Sequence, residues 1–451
     1  MIPAAPEVAS RLAALVRVPT VTPPHGPLDD ATAATFATFR AALRGFYPRV
    51  FAHEVETVGR AGLLIRIPGG DAAPVILMAH QDVVPVPEDW AAEGWEHGPF
   101  EGVISEGWVH GRGTLDDKGA LAVALEAVDS LLGEGWTPPG DLYLSLGADE
   151  ESHGDSAIQA ATLLEARGVA PALILDEGGA VTLGAFPGLE GEAAVIGASE
   201  KGIVDVTLTV EGRGGHASTP PRESAPGILA RALGRIEAHP HPSALHPVNV
   251  ELLETVGSRL GGARGAVMRR AGALRWLLAR LLPRLGAELA AMTRTTVAIT
   301  QLRGSPAHNV LATSATATLN IRVAVGSGVD EAVAHVRRVI GDPRVRIDVE
   351  DPSEPSPVSP RGDSPAWTAL TGAVAASYPE ALVVPYVMLA ASDSRHVAHL
   401  GPTYRFAPLR MSSDQRAAVH GPNEKVEVES LGRGVAFYRA LLGSDEAWIR
   451  G

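Results

Sequence analysis

The chain has 451 residues, 45% hydrophobic and 20% charged, a length that exceeds one typical core and predicts two domains. With 38 basic against 52 acidic residues the net charge is −14, which argues against a general nucleic-acid or anionic-membrane binder. Cysteine is absent, so disulfides, thiolate nucleophiles and cysteine-held zinc are excluded, and any metal must be held by His, Asp and Glu.

The N-terminal stretch "MIPAAPEVASRLAALVRVPTVTPP" lacks a basic leader followed by an apolar core and reads as a short amphipathic helix ended by prolines. No run reaches the roughly 18 apolar residues of a membrane span. A cytoplasmic protein without stable membrane insertion is the expectation. Over residues 1–198 short apolar runs alternate with helical patterns, the signature of an α/β domain with a mainly parallel sheet covered by helices. "APVILMAH" (73–80), "DLYLSLGA" (141–148) and "PALILD" (171–176) are buried-strand candidates, and "DKGALAVALEAVDSLLGEG" (117–135) has helical spacing. Near residue 199 the style changes. "VDVTLTVEGRGG" (204–215), "TTVAITQLRG" (295–304) and "ATATLNIRVAV" (315–325) alternate polar and apolar, as strands with one wet face do.

That change predicts an inserted α+β domain over 199–352, with an extra helical segment at 240–292. The first domain resumes over 353–451, where "AWTALTGAVAASY" (366–378) is helical. Inside the insertion, 259–292 interleaves seven arginines with Leu, Trp and Val, and Pro283 breaks its helix. It reads as an amphipathic helix pair packed on its own domain, or as a greasy, basic cover for an acyl chain or membrane surface.

Each buried strand of the first domain ends in a metal-competent or proton-transferring side chain: His80 with Asp82, Glu150 with Glu151, and Asp176 with Glu177. Ligands of an open parallel sheet sit beyond the carboxyl ends of its strands, so these groups converge. "GRGTLDDKG" (111–119) adds Asp116 and Asp117 just before a helix. There an N-cap is the plain reading and a carboxylate bridging two metals the functional one. The run Asp149, Glu150, Glu151 is costly to desolvate unless cations balance it. Two divalent ions sharing a carboxylate would do so, zinc first, with Co2+ or Mn2+ as alternatives. Glu151 then faces a metal and Glu150 a metal-held water, whose pKa falls to about 7. A nearby carboxylate can take that proton and deliver it to a leaving amine.

"MAHQDVVPV", "GRGTLDDKG", "ADEES", "LDEGG", "GGHAS" and "HGPNE", in that order, resemble the dinuclear zinc aminoacylase and carboxypeptidase family, peptidase family M20. "YRFAPL", "SDSRH" and the "DEGG" ending resemble most its carboxypeptidase S and N-fatty-acyl-amino-acid hydrolase branch. The resemblance spans nearly the whole chain. It implies that His80 and Asp176 hold one Zn2+, Glu151 and His420 the other, and that Asp116 bridges them. Asp82 would orient the His80 imidazole, Glu150 would be the general acid/base, and His216 would stabilise the oxyanion.

The resemblance further implies that Arg322 and Asn309 bind the carboxylate end of the substrate, with Arg395 and Arg405 as alternatives. His396 and His399 are the rivals of His420. Glu177 and Glu424 are expected only to line the site, and Trp90, Trp95 and Trp108 to be scaffold. The resemblance makes 1–198 and 353–451 the two parts of a catalytic domain and 199–352 its inserted lid domain. Relatives often pair through the lid, so a homodimer through it is a further expectation, as is closure of the lid during turnover.

The implied function is hydrolysis of the C-terminal peptide or N-acyl amide bond of a small peptide or N-acyl amino acid, with no nucleic-acid partner. Hydrolysis or reverse synthesis of long-chain N-acyl amino acids is the closest alternative. A catalytically silent metal-binding protein is the rival of another class, and Glu150 beside a full ligand set speaks against it. No G-x-S-x-G elbow supports a serine hydrolase, although "ESHGD" (151–155) has the letters of a triad.

Overall fold

The computed structural model describes residues 5–23, 26, 28–152 and 154–450. His153, the middle letter of "ESHGD", lies outside them. The chain divides into two compact units, Met1–Ala198 with Pro357–Tyr386 and Ser392–Gly451, and Ser199–Ser356 with Val387–Ala391.

The first unit is built on a mixed sheet. Strand Ala72–His80 runs parallel to both its neighbours, Gly140–Gly147 and Leu173–Asp176, and Thr403–Arg405 extends the parallel run. Gly62–Ile67 and Glu54–Val58 add an antiparallel margin. Residues 75–80 are buried without a break, because helices cover both faces of a parallel sheet and no face is left to water. Helix Lys118–Gly133 joins the first two parallel strands and is itself buried along most of its length, as its Ala, Leu and Val residues allow. Register then fixes where side chains emerge. His80 stands opposite Gly147 and Leu77 opposite Leu175, so His80, the residues after Gly147 and those after Leu175 leave the sheet at one edge.

Val103–Ser105, Trp108–His110 and Lys425–Glu427 form a small antiparallel sheet of their own. It pairs Lys425 with His110, and the Gly111 N–H donates to the Glu424 carbonyl at 2.9 Å. The loops 111–117 and 419–424 are thereby held side by side.

In the second unit four antiparallel strands follow the order Thr296–Arg303, Ser314–Val323, Gly202–Glu211, Val345–Ser353. Burial alternates along Ser314–Val323, so Ala317, Leu319 and Ile321 face the helices Ala225–Ala238 and Val329–Ile340, and Asn320 and Arg322 the opposite side. The unit ends after Ser356 rather than at 352, because Ser353 still pairs with Ile203 and the Ser356 hydroxyl accepts the Glu200 N–H at 3.0 Å. Segment 259–292 is not a helix pair. It forms three short helices, Gly262–Met268, Arg275–Leu281 and Ala287–Thr293, with Pro283 in a 3-10 turn and glycines at 272 and 286 between them.

His241, buried in this unit, has its ring stacked on that of His335 with centroids 4.0 Å apart. Burial, then the neighbouring imidazole, hold its pKa down at about 4, against 6.5 for a free imidazole. As pH falls through 6.5 the unfolded chain takes this proton first, so stability drops between pH 6.5 and about 4 and no further from this group. We predict that His241→Gln flattens the pH dependence of the melting temperature in that window. Parallel curves for the variant and the parent protein would refute it.

Candidate metal centre

The centre assembles at the edge where the parallel strands end. His80, the last residue of its strand, is buried. Its Nδ1 lies 3.0 Å from the Asp82 carbonyl oxygen and 3.5 Å from Asp82 Oδ1, which leaves Nε2 to face outward. Nε2 meets Asp116 Oδ1 at 2.9 Å. The other oxygen of Asp116, Oδ2, meets His420 Nε2 at 3.0 Å, and His420 Nε2 is also 3.1 Å from Glu151 Oε1. One carboxylate thus stands between two imidazoles, one oxygen for each.

Electrostatics follow from that arrangement. Hydrogen bonds donated by its ring to Asp116 and then Glu151 push the His420 imidazole up to about 10. Burial works against a charge on His80, but its contacts with Asp116 and Asp82 prevail and raise it well above the ordinary value. Burial likewise opposes ionisation of Asp116, and the two imidazoles hold it below the usual carboxylate range. Glu150, Glu177 and Asp117 are driven the other way, upward, chiefly by burial and then by the neighbouring acids.

Two overlapping groups place single ligand atoms within 4.8 Å of one another: His80, Asp116 and Glu151, and His80, Glu150 and Glu177. The donors are two imidazoles and four carboxylates with no sulfur, a set suited to zinc, cobalt or manganese. A cluster that draws protons onto both its imidazoles is a sink for positive charge, which divalent ions fill by displacing those protons.

Backbone donors steady the acids that surround this centre. Asp82 accepts the N–H groups of Glu150 and Glu151 at 3.3 and 3.1 Å, so it clamps the acidic turn as well as facing His80. Asp117 Oδ2 accepts the His80 N–H at 3.2 Å. Glu424, fully buried, accepts from Leu115 and Asp116 N–H at 2.8 and 3.3 Å with one oxygen and from Arg112 Nη1 at 2.6 Å with the other. Arg112 Nη2 donates to the Gly421 carbonyl at 3.1 Å, and its guanidinium lies 5.3 Å from the centroid of the Trp95 ring. His420 and Asn423 both sit in the left-handed region, at φ 62 and 61°, a strained backbone for such side chains. Asn423 anchors it by accepting the Glu96 N–H at 2.7 Å and donating to the Gly94 carbonyl at 2.8 Å.

Of the residues singled out in the sequence, His80, Asp82, Asp116, Glu150, Glu151 and His420 come together. Asp176 does not join either ligand group: its Oδ2 accepts the Ser394 N–H at 2.8 Å, and Glu177 stands beside His80 instead. His399 pairs with Glu165, and it is His420 whose Nε2 reaches both Asp116 and Glu151. Arg405 is fully buried in the core and its Nη1 donates to the Thr403 carbonyl, which removes it as a substrate contact. Arg395 donates to the Ser392 carbonyl at 3.0 Å. In the second unit, a two-stranded ribbon sets Gly215–His216 against Val310–Leu311, and the Ala217 N–H donates to the Asn309 carbonyl at 3.1 Å. Arg322 Nε donates to Asn320 Oδ1 at 3.0 Å. The sequence reading left out Arg112 and gave Glu424 no task. The arginine set between glycines in "GRG" was the available signal.

Residues 76–444 match the description of peptidase family M20/M25/M40. The chain belongs to that family. It is 33% identical over 441 residues to the mouse N-fatty-acyl-amino acid synthase/hydrolase PM20D1, covering 95% of this chain and 86% of that protein. It is 32% identical over 451 residues to the probable carboxypeptidase S-like 2 of Dictyostelium discoideum, covering 98% and 86%. Among solved structures, an M20 metallo-carboxypeptidase from Sulfolobus solfataricus shares the fold with a TM-score of 0.72 at 15% identity, over 97% of this chain and 99% of that one. Membership makes this chain a hydrolase of the metallopeptidase type, with the α/β architecture expected from its sequence.

The buried Arg112–Glu424 pair fixes the loop that presents Asp116. We predict that Arg112→Met destabilises the protein by about 3 kcal/mol, the usual cost of stranding a buried charge, and weakens metal binding roughly tenfold or more. Thermal denaturation and metal titration check this, and an unchanged metal affinity would refute the assignment.

Proposed function

We propose that this M20-family hydrolase cleaves the amide bond of a small N-acyl amino acid or the C-terminal peptide bond of a short peptide. The observation that carries the reading is the Asp116 carboxylate shared between His80 and His420, with Glu150 in the same cluster. His80 and Glu177 would hold one divalent metal, Glu151 and His420 the second, and Asp116 both. When bound, such ions polarise the scissile carbonyl and lower the pKa of water.

Glu150 then carries the proton traffic. Burial and the surrounding acids raise its carboxyl and so make it a stronger base than an ordinary glutamate, suited to accept the proton of the attacking water and return it to the leaving nitrogen. Asp82 aims Glu150 and Glu151 through their backbone N–H groups and keeps the His80 ring in one tautomer, its Nδ1–H directed at Asp82. From the second unit we assign Arg322 to the substrate carboxylate, with its guanidinium plane set by Asn320, and Asn309 and His216 to the substrate and its oxyanion. Zinc as the ion and a homodimer through the second unit belong to the same proposal, as does a cytoplasmic location.

A second reading narrows the substrate to long-chain N-acyl amino acids, favoured by 33% identity with a protein named for that activity. A panel of N-acyl amino acids of rising chain length, set beside C-terminal dipeptides, separates the two. Rates that climb with chain length support the narrower reading, and rates confined to dipeptides sink it.

Two variants test the roles. Glu150→Ala should retain its metal while kcat falls by at least about 10²-fold, and an active Glu150→Ala protein would overturn the proton role. Glu177→Gln should lose one of two bound metal equivalents, measured by elemental analysis, whereas Asp176→Asn keeps both. The reverse pattern would restore Asp176 as the ligand.

A further inference from the structure

The seven arginines of segment 259–292 stand apart from the rest of an acidic molecule. Against them the segment holds one acid, Glu288, a net +6, which leaves −20 for the remainder of the −14 chain. All seven are exposed. Elsewhere in the same unit exposed arginines find acids: Arg231 and Arg344 pair with Glu223 at 2.5 and 2.7 Å, and Arg346 with Asp348 at 2.8 Å. Within the segment Arg259, Arg264, Arg270 and Arg275 form no side-chain hydrogen bond or ion pair among the described residues.

Apolar side chains stand out among these charges. Trp276 is 61% exposed, Leu285 72%, Leu281 46% and Val267 44%, and Leu285 is the most exposed large apolar side chain among the described residues. Along the turn from Arg275 to Leu285, Leu278, Ala279 and Leu282 point inward and are buried. Trp276, Arg280, Leu281, Arg284 and Leu285 occupy the outward side, as a 3.6-residue period requires. The Arg280 guanidinium lies 5.8 Å from the Trp276 ring centroid.

We propose that this face docks on an anionic bilayer surface. Guanidinium groups meet lipid phosphates while the indole and leucines enter the boundary between headgroups and chains. The apolar tips favour a bilayer over a nucleic acid, whose phosphates would leave Leu281 and Leu285 in water. A second copy is disfavoured because two segments of net +6 repel. Contact is peripheral: each of the helices Gly262–Met268 and Arg275–Leu281 has seven residues. That is a length of about 10 Å, a third of the roughly 30 Å hydrocarbon core.

The test is co-sedimentation of the full chain with vesicles of about two parts phosphatidylcholine to one part phosphatidylglycerol, set against pure phosphatidylcholine. The parent protein should pellet with the anionic vesicles, be released by salt, and ignore the neutral ones. Arg270→Glu with Arg275→Glu should weaken binding at least about 20-fold, and Trp276→Ser with Leu285→Ser about tenfold. Both double variants should hydrolyse a short soluble substrate at the parent rate, which shows that they fold. The proposal is overturned by no binding, by equal binding to neutral vesicles, or by variants that bind like the parent. It is also overturned if the variants instead lose self-association, or lose binding of a monomeric fatty acid that the parent takes up without adhering to vesicles.

Discussion

The structure depends on one electrostatic constraint, the Asp116 carboxylate held between two imidazoles in a pocket crowded with acids. Among the described residues Asp116 is the only member of that crowd with an imidazole on each of its two oxygens, His80 on one and His420 on the other. Around it the carboxylates divide by what they accept. Asp82, Asp117, Asp149, Asp176 and Glu424 receive backbone N–H groups, which offsets their charge and fixes loops. Glu150, Glu151 and Glu177 keep their oxygens for the centre. Like charges can be packed this closely only because each is given a different partner.

Topology makes the division affordable. Three parallel strands and their register bring His80, Glu150–Glu151 and Glu177 to one edge from within the first 177 residues. The last contributor arrives from more than 240 residues further on, through the three-stranded sheet that pairs Lys425 with His110. The Arg112–Glu424 pair, buried at both ends, then couples the two loops that carry Asp116 and His420. A ligand set drawn from such distant segments forms only when the unit has folded, so metal affinity and stability are linked through it.

Much of this was legible in the sequence because strand ends announce themselves. An apolar run that stops at His80 or at Gly147 has only one place to put the next polar side chain. The Asp176–Glu177 choice was not legible in the same way. Successive residues at the end of a strand point to opposite sides, and where the strand stops decides which one faces the centre. The structure ends the strand at Asp176 and lets a neighbouring N–H, that of Ser394, take its carboxylate. Glu424 was opaque for another reason: its work is defined by Arg112, 312 residues away, and no local pattern encodes such a pairing. In 259–292 the proline was a readable stop, but the glycines at 272 and 286 divided the remaining helical pattern further.

Net charge was a poor guide to surface chemistry for a related reason. A total of −14 hides a compact segment of +6 on a background of −20. At physiological ionic strength fields from exposed charges fade over about 8 Å, so an approaching surface senses the nearest side chains and not the sum. A surface that meets this segment is therefore met by its arginines and not by the net charge of the chain. Composition sets solubility, and its spatial distribution decides which side of the protein can be touched.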